Sequence, residues 1–99
     1  MDEDGYPDEE ELKTIREWDF KDFYGLLEFV KPIWKYSDMG YFDKGSDKRW
    51  HLSTGGWSGN EDIISAMMDN AMFWNCHWWS SRRGGHYIFN KMLMEEDGE

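Results

Sequence analysis

Aromatic side chains constrain this chain more than any other feature. The 99 residues include seven Trp, six Phe and five Tyr. Each such side chain buries roughly 150–250 Å² when it packs inside a protein, so most of them must share one core. A chain of this length forms a single domain, and a core this rich in large rings needs no disulfide or metal to stabilise it.

The single cysteine and the N-terminal residues bear on cellular location. Cys76 has no partner for an internal disulfide, which argues against a secreted disulfide scaffold. The chain begins with acidic residues 2–4 rather than a basic stretch and an apolar run, so no signal peptide is expected. No window approaches the roughly 18 apolar residues of a membrane span. We therefore expect a cytoplasmic protein with no membrane partner.

The formal net charge of −10 is concentrated at the two ends. Residues 1–11 carry seven acids and no base, residues 95–99 carry four acids, and residues 12–94 hold ten acids against eleven bases. The predicted organisation is an acidic disordered N-terminus at 1–6, one α+β domain at 7–94 and an acidic disordered C-terminus at 95–99. Acidic ends usually aid solubility; the alternative is mimicry of a phosphate backbone. Without a basic stripe, direct nucleic-acid binding is not expected.

Two helices are predicted in the N-terminal half. Pro7 and the four acids after it are typical of a helix start, and this helix should end near Trp18. Asp19 is the predicted N-cap of a second helix, which Pro32 stops. Residues 37–48 have the composition of a loop.

The next segment predicts a strand, a tight turn and a third helix. Residues 49–54 alternate so that His51 and Ser53 share one face of a strand. Three glycines between residues 55 and 59 permit positive φ angles in a turn. The Ser58-x-x-Glu61 spacing has the form of a capping box at the start of the following helix.

Residues 72–80 are compatible with either a helix or a strand. Their aromatic density and the glycine turn that follows favour a strand. A hairpin tip at Arg83-Gly84 would place Ser81 opposite His86, Trp79 opposite Ile88 and His77 opposite Asn90. The predicted fold class is α+β, with two N-terminal helices and then strand–helix–strand–strand in a sheet of about three strands.

The segment from Ser53 to Glu61 joins a strand to a helix N-terminus through glycines, an arrangement that often presents backbone N–H groups to an anion. It lacks the Gly-Lys-Ser/Thr ending of a P-loop, so NTP hydrolysis is unsupported and no cofactor is expected. Trp57 is suited to stacking on a ring, and Arg82 and Arg83 are suited to pairing with phosphate or carboxylate. The alternatives are a partner-contact surface, or a helix cap and an exposed turn with structural roles only. The candidate ligand-binding residues are Ser53, Thr54, Gly55, Gly56, Trp57, Ser58, Asn60, Arg82, Arg83 and His86.

Two other chemistries receive little support. Cys76 would need a histidine to become a nucleophile, but the expected strand turns His77 and His86 to the opposite face, so a buried small side chain is favoured. A zinc site built from His51, Cys76, His77 and His86 has no usual ligand spacing, and no metal is expected. No activated nucleophile and no clear carboxylate pair is visible, so an enzyme is the less favoured class.

Three motifs together resemble small, uncharacterised accessory proteins of tailed bacteriophages and prophages. They are Thr54-Gly-Gly-Trp-Ser-Gly-Asn-Glu61, then Phe73-Trp74, and then Arg83-Gly-Gly-His-Tyr-Ile-Phe89. The resemblance extends from about Trp50 to Phe89, and residues 1–48 take no part in it. It implies a phage protein acting in the cytoplasm of a bacterial host, and it brings no established activity.

Two functional hypotheses follow. The first is a non-enzymatic binder of an anionic, nucleotide-like small molecule, for example one that sequesters an immune signal as a counter-defence. The second is an acidic inhibitor that binds a host defence protein such as a nuclease or an immune complex, in the manner of anti-CRISPR proteins. The many aromatics are hard to bury in one small core, which also leaves room for a homo-oligomer.

Overall fold

The structure, a computed structural model, describes residues 6–35, 42–44 and 49–90. The predicted disordered ends, apart from Tyr6, and most of the predicted 37–48 loop lie outside these residues. The helices are α1 (Glu9–Arg16), α2 (Phe23–Val30), a 3₁₀ helix (Lys31–Ile33), α3 (Ser58–Asp69) and α4 (Ala71–His77). The strands are β1 (Phe42–Lys44), β2 (Trp50–Ser53), β3 (Trp78–Arg82) and β4 (His86–Phe89).

The α+β class is confirmed, but the described residues form a sheet of four strands rather than about three. The strand order is β1-β2-β4-β3, and every neighbouring pair is antiparallel. The additional strand, β1, lies inside the segment predicted as loop. It pairs with β2 through Phe42 opposite Leu52, and both side chains are buried. The buried ring of Phe42, in a largely polar stretch, therefore anchors an edge strand that composition alone does not reveal.

The helices pack on one face of this sheet. Asn70, at the junction between α3 and α4, donates through its side-chain amide to the carbonyl oxygens of Ile15 and Trp18 at 3.1 and 2.9 Å. This contact fixes the end of α1 against the two later helices. The buried core consists mainly of Ile15, Phe23, Leu26, Leu27, Val30, Phe42, Leu52, Ile63, Ile64, Met67, Phe73 and Phe89.

The prediction of a strand over residues 72–80 is wrong for its first six residues. Residues 71–77 form α4, and only from Trp78 does the chain become extended. Phe73 and His77, four residues apart, are both buried on the inner side of this helix. Asn70 caps it by accepting a hydrogen bond from the Phe73 amide at 3.3 Å. Helical spacing of buried rings and a capping amide outweigh the strand preference of the aromatics.

The predicted hairpin register is correct near its base and off by one at its tip. Trp78 pairs with Phe89, and the His77 carbonyl accepts a hydrogen bond from the Asn90 amide at 2.8 Å. A bulge at Trp79 then shifts the pairing, so that Arg82 rather than Ser81 lies opposite His86. A β-bulge adds one residue to one strand and turns the following side chains to the other face.

The helices also differ from the predictions in the residues that begin and cap them. α1 begins after Asp8 rather than at Pro7, and Asp8 and Glu11 form a complete capping box. α2 is capped by Asp22 rather than Asp19. The capping box predicted at Ser58 does not form, because Ser58 already lies inside α3 and its hydroxyl donates to the Tyr6 hydroxyl at 3.1 Å.

Candidate ligand-binding site

The glycine loop before α3 is held by contacts within the protein. Asn60 is fully buried, and its side-chain amide donates to the carbonyls of Lys35 and Thr54 at 3.1 and 3.2 Å while its oxygen accepts from the Lys35 amide at 2.9 Å. The Thr54 side chain is buried as well. Its hydroxyl accepts from the Gly56 amide at 3.3 Å. These two side chains stabilise the loop, and their polar atoms have partners inside the protein.

Trp57 is half-buried and packs against other side chains of the protein. The centroids of the Trp57 and Tyr6 rings are 4.7 Å apart. Lys35 Nζ lies 4.6 Å from the centroid of the Trp57 ring. The Trp57 ring also covers Gly59, where any Cβ atom would overlap the indole. Gly55 and Gly56 use the positive φ angles of 63° and 77° that the turn requires. The loop thus brings Trp57 onto α3, and stacking on a ligand is not the role that its contacts favour.

A second group of predicted residues lies together on the face of the sheet that the helices do not cover. Ser53, His86 and Arg82 are direct neighbours across β2, β4 and β3. We call this side of the sheet the outer face; by strand alternation and pairing it carries Asp43, Arg49, His51, Ser53, Ser80, Arg82, His86 and Ile88. Ile88 is buried yet stands outside the helix-packed core, which agrees with its place on this face.

Ser53, His86 and His51 form a continuous hydrogen-bonded chain. Ser53 Oγ lies 2.7 Å from His86 Nδ1, and His86 Nε2 lies 2.9 Å from His51 Nδ1. All three side chains are half-buried. The sequence placed His51 and Ser53 on one face correctly, but the link to His86 required the β2–β4 pairing, which joins residues 33 positions apart.

Charged residues of both signs lie beside this hydrogen-bonded chain: Arg82 is opposite His86, and Asp43 is opposite His51. Partial burial is the main reason that the pKa of His86 lies below its usual 6.5, and the charges of His51 and Arg82 lower it further. Near neutral pH the His86 ring is therefore uncharged, with one nitrogen able to accept and one able to donate a hydrogen bond. The guanidinium of Arg49 lies 4.0 Å from the ring centroid of Trp79, which is 53% exposed.

The candidate ligand-binding residues did not include Arg49, His51 or Trp79, although the predicted hairpin already turned Trp79 to the same face as His86. The alternation that puts His51 beside Ser53 also places Arg49 there, so this residue was within reach of the same argument. Trp79 was assigned to the correct hairpin, but its bulged position is visible only in the structure.

The remaining candidates lie apart from this cluster. Arg83 is exposed in the turn at the hairpin tip, one position beyond the paired strands. Cys76 lies in α4 and is half-buried. His77 is buried in the same helix, with Nε2 2.7 Å from the Phe20 carbonyl oxygen. Within residues 6–35, 42–44 and 49–90, no group of three or more His, Cys, Asp or Glu side chains is arranged to hold a metal ion.

One cleft of about 260 Å³ opens beside α2, on the other side of the sheet. It is largely apolar and contains none of the candidate residues. The residues that line it are Tyr24, Leu27, Glu28, Lys31, Phe42 and Trp50.

Comparison with known proteins gives no assignment: no family model, no curated protein and no solved structure matches this chain. In the described part of the chain, none of the helices has the length and apolarity needed to cross a membrane.

Proposed function

We propose that this chain is a phage-encoded accessory protein that binds an anionic, nucleotide-like small molecule on the outer face of its sheet. The observation that carries the proposal is the row of Ser53, His86 and Arg82 across three adjacent strands. The exposed guanidinium of Arg82, beside the Ser53 hydroxyl and the His86 ring, supplies the charged donors that a phosphate or carboxylate requires. Sequestration of an immune signal inside the bacterial host is the biological form that we propose for this binding.

The structure changes which residues we assign to each role. Arg82 is the proposed anion-pairing residue because it lies in the row, whereas Arg83 lies beyond it in the turn. Trp79 is the proposed stacking residue because half of its surface is exposed and an arginine already lies against its ring. The glycine loop, in this proposal, supports the end of β2 through Thr54.

A thermal-shift experiment with a matched pair of arginine variants tests the proposal. Adenosine monophosphate, cyclic AMP and adenosine diphosphate are added to the wild type, to Arg82→Ala and to Arg83→Ala, with uncharged adenosine as the ligand control. A ligand at about 100 times its Kd adds about 2.7 kcal/mol of stability, which raises the midpoint by several degrees in a domain of this size. We expect a nucleotide to stabilise the wild type and Arg83→Ala, and to leave Arg82→Ala unshifted.

The proposal fails if no phosphorylated ligand raises the midpoint of the wild type, or if Arg82→Ala responds as the wild type does. A shift that adenosine reproduces would also contradict it, because the ligand would then be held by its ring and not by its charge.

The second candidate is the protein inhibitor, favoured by large apolar side chains near the junction of α4 and β3. Met72, Trp78 and Trp79 are 56%, 41% and 53% exposed. Capture of a host nuclease or immune complex by the wild type, and its loss in Trp78→Ser, would support this candidate. Capture that Trp78→Ser leaves unchanged would contradict it.

A further inference from the structure

We propose that Ser53 is a nucleophile, that His86 accepts its proton and that His51 positions the His86 ring, so that the outer face cleaves carboxylic esters. The hydrogen-bonded chain is the basis. Ser53 Oγ and His86 Nδ1 are 2.7 Å apart, and His86 Nε2 and His51 Nδ1 are 2.9 Å apart. A nucleophile within about 2.6–3.2 Å of a base, and a third group that orients the base, is the arrangement shared by serine hydrolases on unrelated folds.

The hydrogen-bonded chain can be polarised in the direction that catalysis needs. In that arrangement Ser53 donates its hydroxyl proton to His86 Nδ1, and His86 Nε2–H donates to His51 Nδ1. Protonation of Nδ1 then leaves both ring nitrogens of His86 as donors, each with an acceptor already in place. Because partial burial and the nearby charges of His51 and Arg82 lower the pKa of His86, the ring is neutral at pH 7 and able to accept the proton.

The backbone holds the two principal groups rigidly. Ser53 and His86 are paired directly in the β2–β4 ladder. The residues next to this pair are also hydrogen-bonded to each other, since the Thr54 amide donates to the Gly85 carbonyl at 3.0 Å. The backbone of Ser53 is held further by the indole of Trp34, which donates to the Ser53 carbonyl at 3.1 Å. Sites built on paired strands keep their geometry better than sites on loops.

The reaction balances with water as the only co-reactant. Ser53 Oγ attacks the ester carbonyl carbon while its proton moves to His86 Nδ1. The tetrahedral intermediate collapses with breakage of the bond to the leaving alcohol, which takes the proton from His86 and leaves an acyl group on Ser53 Oγ. Water then gives a proton to His86 and attacks the acyl carbon, and the carboxylic acid departs as Ser53 regains its proton. Positive charge from Arg82 on this face favours the negative oxygen of each tetrahedral intermediate.

The proposed substrate is an ester whose acidic group lies near Arg82, and this part rests on the proposed function. The nucleophile itself does not depend on it, so its test uses uncharged probes. The full-length protein is treated with a neutral fluorophosphonate, which forms a bond from phosphorus to the serine oxygen with loss of fluoride, and with p-nitrophenyl acetate. Intact mass and peptide mapping locate the adduct.

We expect one adduct, on Ser53, in the wild type. Ser53→Ala should lose it, whereas Ser80→Ala, which alters another half-buried serine of the outer face, should keep it. His86→Gln should slow labelling by about 100-fold or more, the range in which a general base acts. His51→Asn, which retains an acceptor near the Nδ1 position, should keep more activity than His51→Leu. In both variants the pH midpoint of labelling should rise, because the charge of His51 that helps to lower the pKa of His86 is removed.

A cysteine variant keeps the test decisive if Ser53→Ala unfolds. In Ser53→Cys a thiol replaces the hydroxyl beside His86, and Cys76, in α4, serves as the internal reference. We expect iodoacetamide to alkylate the introduced thiol faster than Cys76, and the additional His86→Gln change to remove the difference.

Labelling of another serine, labelling of Ser53→Ala at the wild-type rate, or wild-type labelling of His86→Gln would each overturn the proposal. Labelling of Ser53 without any nucleotide-induced thermal shift would support the nucleophile and remove the anion-binding function. A nucleotide-induced thermal shift without labelling of Ser53 would support the anion-binding function and overturn the nucleophile.

Discussion

His86 is the residue through which the outer face responds to pH. It contacts Ser53 on one side and His51 on the other, and it lies opposite Arg82 on β3. Its pKa is lowered mainly by burial and then by the charges of His51 and Arg82. Each effect disfavours the imidazolium, so the folded protein holds this ring neutral at a pH where the unfolded chain already begins to protonate it.

We therefore expect His86 to titrate below 6.5 in the folded protein, as followed by the NMR chemical shift of its ring Cε1 proton. Arg82→Ala should raise the midpoint of the His86 titration towards 6.5, because it removes a nearby positive charge that helps to lower the pKa of this ring. Arg83→Ala should leave the midpoint unchanged. A wild-type midpoint at or above 6.5 would contradict the prediction.

The same shift sets the sign of the pH dependence of stability. Because the folded pKa lies below the unfolded value, the contribution of His86 is fully present above about pH 6.5. It is lost as the pH falls through the folded pKa. The fall in unfolding midpoint between pH 7 and pH 5 should accordingly be smaller in His86→Gln than in the wild type.

At the scale of elements, the turn between β3 and β4 packs directly against the end of β2. Gly84 and Gly85 have φ angles of +85° and +78°. A Cβ atom on Gly84 would meet nothing within 4 Å, but one on Gly85 would overlap the hydroxyl of the buried Thr54. Both glycines therefore need a positive φ angle, but only Gly85 lies against a neighbouring side chain.

This difference predicts unequal costs for two neighbouring substitutions. Gly84→Ala should lower the free energy of unfolding by about 1–2 kcal/mol, the strain of a left-handed residue with a side chain. Gly85→Ala should lower it by about 2–4 kcal/mol, because overpacking adds to the same strain. Urea denaturation of both variants measures the two losses.

Thr54→Ala provides the control, since it removes the hydroxyl that Gly85→Ala would strike. When Thr54 is already alanine, Gly85→Ala should lower the free energy of unfolding by about as much as Gly84→Ala does. Equal losses from the two single substitutions would show that the turn does not press on Thr54.

These elements also show where sequence reasoning succeeds. Alternation along residues 49–54 was enough to put His51 and Ser53 on one face, and Pro32 correctly ends α2 at Val30. Residues 72–80 resisted prediction because Trp, Phe and Met suit both a buried helix and a strand, and the deciding contacts of Phe73 and His77 are tertiary. The site was only half predictable for a similar reason: Ser53 and His86 were both candidates, but their contact depends on the pairing of β2 with β4. The place of Arg82 opposite His86 depends on the bulge in β3.

At the scale of the whole molecule, Asn70 joins the end of α1 and the segment that follows it to the junction of α3 and α4. Its oxygen caps α4 by accepting from the Phe73 amide, while its nitrogen donates to the carbonyls of Ile15 and Trp18. The two functions belong to opposite ends of one amide, so a substitution can separate them. Asn70→Asp keeps the capping oxygen and loses both long-range donors.

We expect Asn70→Asp to lower the free energy of unfolding by about 2–4 kcal/mol, because buried carbonyls lose their donor and face a carboxylate instead. Asn75→Asp, on the exposed side of α4, should change it by no more than about 0.5 kcal/mol. Hydrogen exchange should locate the damage: amides of α1 should exchange faster in Asn70→Asp, while those of β4 follow only the global loss of stability. If α1 stays as protected as β4, α1 is held by its other contacts without the help of the Asn70 nitrogen, and the amide of Asn70 serves only as a helix cap.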